Sequence, residues 1–276
     1  MLSQKMRQKL LQAAREDIGG LDISSSLLRE QKAFAKITAN ENCVLAGIEE
    51  AKFLFSAFGV KTVSAKKDGS SVKKGETVLR VFGSNKKILS VERTALNFLG
   101  RMSGVAAICA RAKKIAGSKT KIFLTRKTMP LLNEFDKKAC VFGGVFSHRK
   151  NLRESFLIKD NHLEFGSVEE LLKKAILQKK NFSAKEVEIE AQNLKQAMIA
   201  ADCGADVVLL DNFSAKNAKI AIGKIRKTNK KVEIELSGGI NLKNLKRYVS
   251  LGACRVSMGE LTKSAPMVDF SLEFGK

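Results

Sequence analysis

Both histidines of this chain, His148 and His162, and one of its two prolines, Pro130, fall within a single short stretch. That stretch carries Thr125-Arg126-Lys127-Thr128, Ser147-His148-Arg149 and Leu157-Ile158-Lys159-Asp160-Asn161-His162. Histidine changes charge near neutral pH, guanidinium groups grip carboxylates and phosphates in a planar fork, and lysine adds a compact charge. Gathered on one face, Arg126, Lys127, His148, Arg149 and Lys159 repel one another unless a ligand brings several negative charges. A dicarboxylate together with a pyrophosphate meets that demand.

Two carboxylates, Glu190 and Asp211, follow further along. In a basic site their ionised forms are favoured. They can bind Mg²⁺, accept hydrogen bonds from ribose hydroxyls, or stabilise a cationic sugar-like transition state. A glycosidase pair is the alternative, but a basic pocket suits an anionic sugar phosphate better than a neutral glycan. Ser237-Gly238-Gly239-Ile240 and Ser257-Met258-Gly259 come later still, and glycines let backbone N–H groups approach an anion. Together the two loops read as a phosphate cup.

The elements that must position these groups follow from the apolar pattern. Strand-length apolar runs recur at Lys121–Thr125, Ser155–Lys159, Val187–Glu190, Asp206–Leu210, Val232–Leu236 and Arg255–Met258, with helical stretches between most of them. That rhythm predicts strand–helix units and a parallel sheet. Each run ends in or leads to one of the polar groups above, and in an α/β barrel such ends converge on one face. The first hundred residues read differently. A helix over Leu2–Arg15, short strands at Ala33–Ala39 and Cys43–Gly47, and a helix over Glu50–Phe58 predict a small α+β unit. A long helix over Val91–Ala116 joins the two parts. No G-x-G-x-x-G follows an early strand, which argues against a dinucleotide fold.

Composition narrows the function classes. A chain of 276 residues with a net charge of +22 invites a nucleic-acid reading. The lysines are spread along the whole chain, however, and one tyrosine with no tryptophan supplies few stacking platforms for bases. A lysine-rich solvated surface is the better account, with no specific nucleic-acid partner expected. Five scattered cysteines without a C-x-x-C pair indicate neither a disulfide framework nor a zinc site, and point to a reducing cytoplasm. The N-terminus does not read as a signal peptide, and no run approaches a membrane span.

Read together, Glu16-Asp17-Ile18-Gly19, Val91-Glu92-Arg93-Thr94-Ala95-Leu96-Asn97-Phe98-Leu99, Thr125-Arg126-Lys127-Thr128, Lys159-Asp160-Asn161-His162, Val187-Glu188-Ile189-Glu190, Leu210-Asp211-Asn212 and Ser237-Gly238-Gly239-Ile240 form one ordered set. In order and spacing the chain resembles the quinolinate phosphoribosyltransferases, the carboxylating nicotinate-nucleotide pyrophosphorylases of NAD synthesis. The resemblance implies an α/β protein: an N-terminal α+β sandwich domain over 1–105, then an open α/β barrel over 106–261, with the tail 262–276 packing back on the first domain. It further implies a cytoplasmic homodimer, or a higher oligomer, with a shared active site. By the same resemblance Arg126, His148, Arg149 and Lys159 hold the carboxylates of quinolinate, and Arg93 reaches in from the partner subunit. Lys127 contacts the pyrophosphate of phosphoribosyl pyrophosphate (PRPP), while Glu190 and Asp211 take its ribose hydroxyls near a Mg²⁺ held mainly by PRPP itself. Ser237, Gly238, Gly239, Ser257 and Gly259 cradle the 5′-phosphate, and Lys127, Lys159, Glu190 and Asp211 carry the catalysis.

The chain departs from the family pattern around these groups. Leu124 stands for an Asp, and Met129-Pro130-Leu131-Leu132-Asn133 for Thr-Pro-Gly-Leu-Arg. Ser147 replaces an Asn, Asn151 a Gly, and Asn40 a basic residue; Gly259-Glu260-Leu261-Thr262-Lys263 replaces Gly-Ala-Leu-Thr-His. Such changes bear on the acceptor and the rate. Two alternatives therefore stand beside the main reading: a related phosphoribosyl transferase or pyrophosphorylase with another acceptor, and a noncatalytic polyanion- or RNA-binding paralogue.

Overall fold

The computed structural model describes residues 2–275, which divide into two units. Among them the strands are β1 (Lys32–Ala39), β2 (Cys43–Val44), β3 (Lys61–Ala65), β4 (Ser71–Val72), β5 (Thr77–Ser84), β6 (Lys121–Leu124) and β7 (Phe146–Ser147). They continue with β8 (Phe156–Ile158), β9 (Val187–Ala191), β10 (Val207–Asp211), β11 (Glu233–Ser237), β12 (Arg255–Met258) and β13 (Phe270–Gly275). The helices begin α1 (Gln4–Ile18), α2 (Ile23–Ser26), α3 (Ile48–Ala57), α4 (Asn85–Ala116), α5 (Asn133–Phe142) and α6 (Asp160–Leu163). The rest are α7 (Val168–Gln178), α8 (Leu194–Asp202), α9 (Ala215–Thr228), α10 (Leu245–Val249) and α11 (Glu260–Lys263). No helix of the described residues is long and apolar enough to cross a membrane.

The first unit is built on an antiparallel sheet in the order β13-β1-β5-β3. Strand β1 buries Ala35, Ile37 and Ala39, the alternation of a sheet with one covered face. Helix α1 starts where the Ser3 hydroxyl accepts the Met6 N–H (3.2 Å), ends at left-handed Gly19, and buries Met6, Leu10 and Ala14 one turn apart. The C-terminal stretch crosses α4 at two glycines. The Val268 N–H donates to the Gly100 carbonyl (3.0 Å), and a Cβ on Gly104 would fall 1.8 Å from the Pro266 carbonyl oxygen. Only a residue without a side chain permits that approach.

Thr128–Gly144, assigned to the barrel by the sequence boundaries, groups with the first unit. Charge pairing explains the placement. The Arg101 guanidinium donates from Nε (2.9 Å) and Nη2 (2.8 Å) to the fully buried Asp136 carboxylate on α5. Lys138 donates to Glu50 (2.9 Å) and Glu49 (2.5 Å) on α3. A buried carboxylate must keep its cation, so α5 follows its partners rather than its sequence neighbours.

The second unit holds seven parallel strands in the order β7-β6-β12-β11-β10-β9-β8. Consecutive strands β7 and β8 lie at opposite edges, so the curled sheet is a barrel open between them. Its wall faces outward through apolar residues such as Val187, Ile189, Ile234 and Leu236, all buried. The alternate positions, Glu188 and Glu190 on β9 and Glu233, Glu235 and Ser237 on β11, share the other face. The interior of this barrel is therefore polar.

Candidate functional site

A cavity of about 190 Å³ opens at the C-terminal end of the barrel strands. Its wall gathers Arg126, Lys127, His148, Arg149, Lys159, Glu190, Asp211, Ser237 and Ser257 from the residues singled out by sequence. Each comes from the end of a strand or the turn after it: β6 supplies the first two, β7 the next two, β8 Lys159, and β9 to β12 the remainder. Gly238, Gly239 and Gly259 lie in the adjoining loops but not in the cavity wall. Gly238 adopts a φ of 86°, and a Cβ there would meet Asn212 Oδ1 at 2.2 Å, so the turn after β11 is closed to larger residues. Arg93 is exposed on α4, in the other unit. His162 is also outside the wall; its Nδ1 accepts the Lys159 N–H (2.9 Å) and shapes the turn that carries Lys159.

Charges of both signs meet in the cavity. Lys159 Nζ lies 3.0 Å from Glu190 Oε2. Burial and the charge of Glu190 raise the pKa of Asp211, against the pull of Lys159 and Lys127. Burial and neighbouring Arg126 lower that of Arg149, against Glu188. These cations face one another across a space that an anionic ligand would fill.

Beneath the cations lies a group that sequence reasoning missed. His148 Nε2 is 3.0 Å from Glu188 Oε2 and 3.8 Å from Glu235 Oε1, and both glutamates are fully buried. The Arg149 amide donates to His148 Nδ1 (2.9 Å), leaving the imidazole hydrogen on Nε2, toward Glu188. Burial works against a charged imidazole, but the hydrogen bond and charge of Glu188, with Glu235 and Glu186, hold its pKa above the ordinary value. Burial and the charge of Glu188 push Glu235 up to about 8. The signal was present in the sequence. Glu186-Val187-Glu188-Ile189-Glu190 and Glu233-Ile234-Glu235-Leu236-Ser237 alternate acid and aliphatic with period two, an inward-facing row of carboxyls on strands otherwise read as apolar.

Two family models match consecutive parts of this chain. Quinolinate phosphoribosyl transferase, N-terminal domain, covers residues 22–103, and its C-terminal domain covers residues 105–273. The chain belongs to the quinolinate phosphoribosyl transferase family. It is 37% identical over 276 residues to a Methanocaldococcus jannaschii protein named as a probable carboxylating nicotinate-nucleotide pyrophosphorylase, covering 96% of each chain. It is 34% identical over 262 residues to the carboxylating nicotinate-nucleotide pyrophosphorylase of Rattus norvegicus, covering 94% of this chain and 87% of that one. The solved nicotinate-nucleotide pyrophosphorylase of Francisella tularensis superposes with a TM-score of 0.93 at 30% identity, over 100% of this chain and 98% of that one.

Within the family frame, the departures have visible structural jobs. Leu124 is fully buried on β6. Glu260 Oε2 accepts the Leu242 N–H (2.7 Å) and ties down the loop after β11. The Ser147 hydroxyl donates to the His148 carbonyl (2.9 Å), and Asn151 Oδ1 accepts the Arg153 N–H (3.0 Å). Asn40 donates to Asp269 (2.8 Å) beside β13. Leu131, where the family has glycine, keeps a left-handed φ of 66°. Met129 and Asn133 bracket that turn, with Asn133 opening α5. None of the replaced residues lines the cavity, and the charged groups there are kept.

Proposed function

We propose that this chain transfers the phosphoribosyl group of PRPP to quinolinate with loss of CO₂, giving nicotinate mononucleotide and pyrophosphate, as a cytoplasmic homodimer in NAD synthesis. One observation carries the reading: a single cavity brings Arg126, Lys127, His148, Arg149 and Lys159 together with Glu190 and Asp211. A dicarboxylate and a pyrophosphate satisfy the cations, and two carboxylates suit the ribose hydroxyls and the positive charge that develops on the sugar.

In this reading Arg126, Arg149, Lys159 and the ring of His148 form the quinolinate end. Lys127 meets the pyrophosphate, and Ser237, Ser257 and the Gly238, Gly239 and Gly259 loops the 5′-phosphate. Lys159 now bridges to Glu190; substrate would draw it to a carboxylate and release Glu190 for the ribose. Holding the pyridine nitrogen against the anomeric carbon supplies proximity. Alkylation leaves a cationic ring that can stabilise the electron pair left when the adjacent carboxylate departs. The crowded carboxylates Glu190 and Asp211 suit a cation nearby, and Mg²⁺ carried on the pyrophosphate oxygens would help that group leave. Arg93 would enter from the partner subunit.

The test is incubation of the purified protein with Mg²⁺, PRPP and either quinolinate or nicotinate, following pyrophosphate and CO₂. Equal release of both with quinolinate alone is expected. No product from either acceptor, in a folded protein, rejects the reading.

A further inference from the structure

The proposed reaction, on which this inference rests, leaves one chemical need unmet by the cations of the pocket. When CO₂ leaves, the ring carbon keeps an electron pair and must take up a proton. Lys159 and Lys127 carry protons, but an ammonium is a weak acid and gives one up reluctantly. The buried cluster beneath them holds a better one.

Glu188 and Glu235 sit on neighbouring inward rows. In register, Leu209 pairs with Glu190 on one side and with Glu235 on the other, so Glu235 lies level with the pocket and Glu188 one step below. Both side chains are fully buried; Glu188 Oε2 lies 3.0 Å from His148 Nε2, and the Ser257 hydroxyl is the hydrogen-bond neighbour of Glu235. His148 Nε2 and one oxygen of each glutamate lie within 4.8 Å of one another. Two carboxylates shut away from water at this separation cannot both stay ionised, and one keeps a proton. The imidazole hydrogen faces Glu188, the closer of the two, which leaves the proton on Glu235. Glu235 is also the one that forms part of the pocket wall.

The cluster can be reloaded. A second opening, at the N-terminal end of the strands, is lined by Glu186, Arg255, Lys150 and Lys185, and it shares His148 and Arg149 with the substrate pocket. His148 thus stands between the buried acids and the second opening, with its Nδ1 held by the Arg149 N–H. The pocket that Glu235 lines opens to solvent when product leaves, and the acid takes up its proton again from that side.

We propose that Glu235 is the acid that protonates the ring carbon after decarboxylation, with Glu188 and His148 as positioning residues that keep its proton in place. The bond from the ring carbon to the carboxylate breaks, CO₂ departs without the electron pair, and that pair takes the proton from the Glu235 carboxyl. Glu235 is left as a carboxylate and regains a proton from water when product leaves the pocket whose wall it forms.

Glu235→Gln keeps the shape and a hydrogen-bond donor but has no acid proton. Pyrophosphate release in this variant is expected to stay within a few-fold of the unsubstituted protein, while CO₂ release falls roughly a hundredfold, the usual range for a lost general acid. The decarboxylation then reverses before protonation, and the carboxylated nucleotide accumulates. Equal rates of the two products, whether unchanged or equally depressed, overturn the proposal. So does a divalent metal ion retained stoichiometrically by the dialysed protein and lost in the variant. Should Glu235→Gln fail to fold, Glu235→Asp retracts the acid by one methylene and is expected to show the same split in smaller degree; its absence there is equally decisive. An unsubstituted protein that forms neither product rejects the transferase reading itself, a separate outcome.

Discussion

At the scale of residues, Glu235 couples chemistry to stability. Its pKa is pushed up to about 8 by burial and by Glu188 on β9, while His148 after β7 and Ser257 and Arg255 on β12 pull it down. The folded value lies above the unfolded one, near 4.5. The stability tied to its proton is therefore fully present below the unfolded value and is lost as pH rises through about 8. Urea unfolding of the unsubstituted protein is expected to shift to lower midpoint between pH 7 and pH 9, and Glu235→Gln is expected to lose less over the same interval. Parallel losses in both proteins would count against a proton held at this position.

At the scale of elements, the long helix α4 and the C-terminal stretch depend on each other at two glycines. The Gly100 carbonyl accepts the Val268 N–H, and the Gly104 Cα faces the Pro266 carbonyl with no room for a methyl group. Backbone cannot rotate away as a side chain would, so Gly104→Ala must push the tail off the helix. A loss of about 2 kcal/mol is expected, read as a lower urea midpoint. An unchanged midpoint would mean the tail moves aside at no cost. The loop before α5 shows the opposite economy: Leu131 holds a left-handed φ that glycine adopts freely, with its carbonyl accepting from Lys9 Nζ (2.6 Å).

At the scale of the whole molecule, the proposed dimer makes a prediction that no single site can. Arg93 is exposed on α4, whereas Lys159 lies in the barrel cavity. If Arg93 serves the partner's site, Arg93→Ala and Lys159→Ala are each inactive alone but complement when co-refolded, because a mixed dimer contains one unaltered site. Recovery of pyrophosphate release in the mixture is the expected result. Mixtures as inactive as their components would place Arg93 in service of its own chain or of neither.

Much of this protein was legible before folding was considered. The six barrel runs from Lys121 to Met258 appear as β6 and β8 to β12 within a residue or so, because buried parallel strands are apolar enough to stand out from their helices. The charged residues at their ends needed only that pattern to be placed on one face. What escaped the sequence depended on partners far along the chain. Strand β7 is two residues long and exists only because β6 pairs with it. Helix α5 sits with the first unit because Asp136 and Lys138 find their counter-charges on α4 and α3. Glu188 and Glu235 were visible as acids in apolar strands, yet only the curl of the sheet closes them around His148 and removes the water that would keep both ionised. Local chemistry determined which groups could bind and react; tertiary structure alone decided which of them would share a proton.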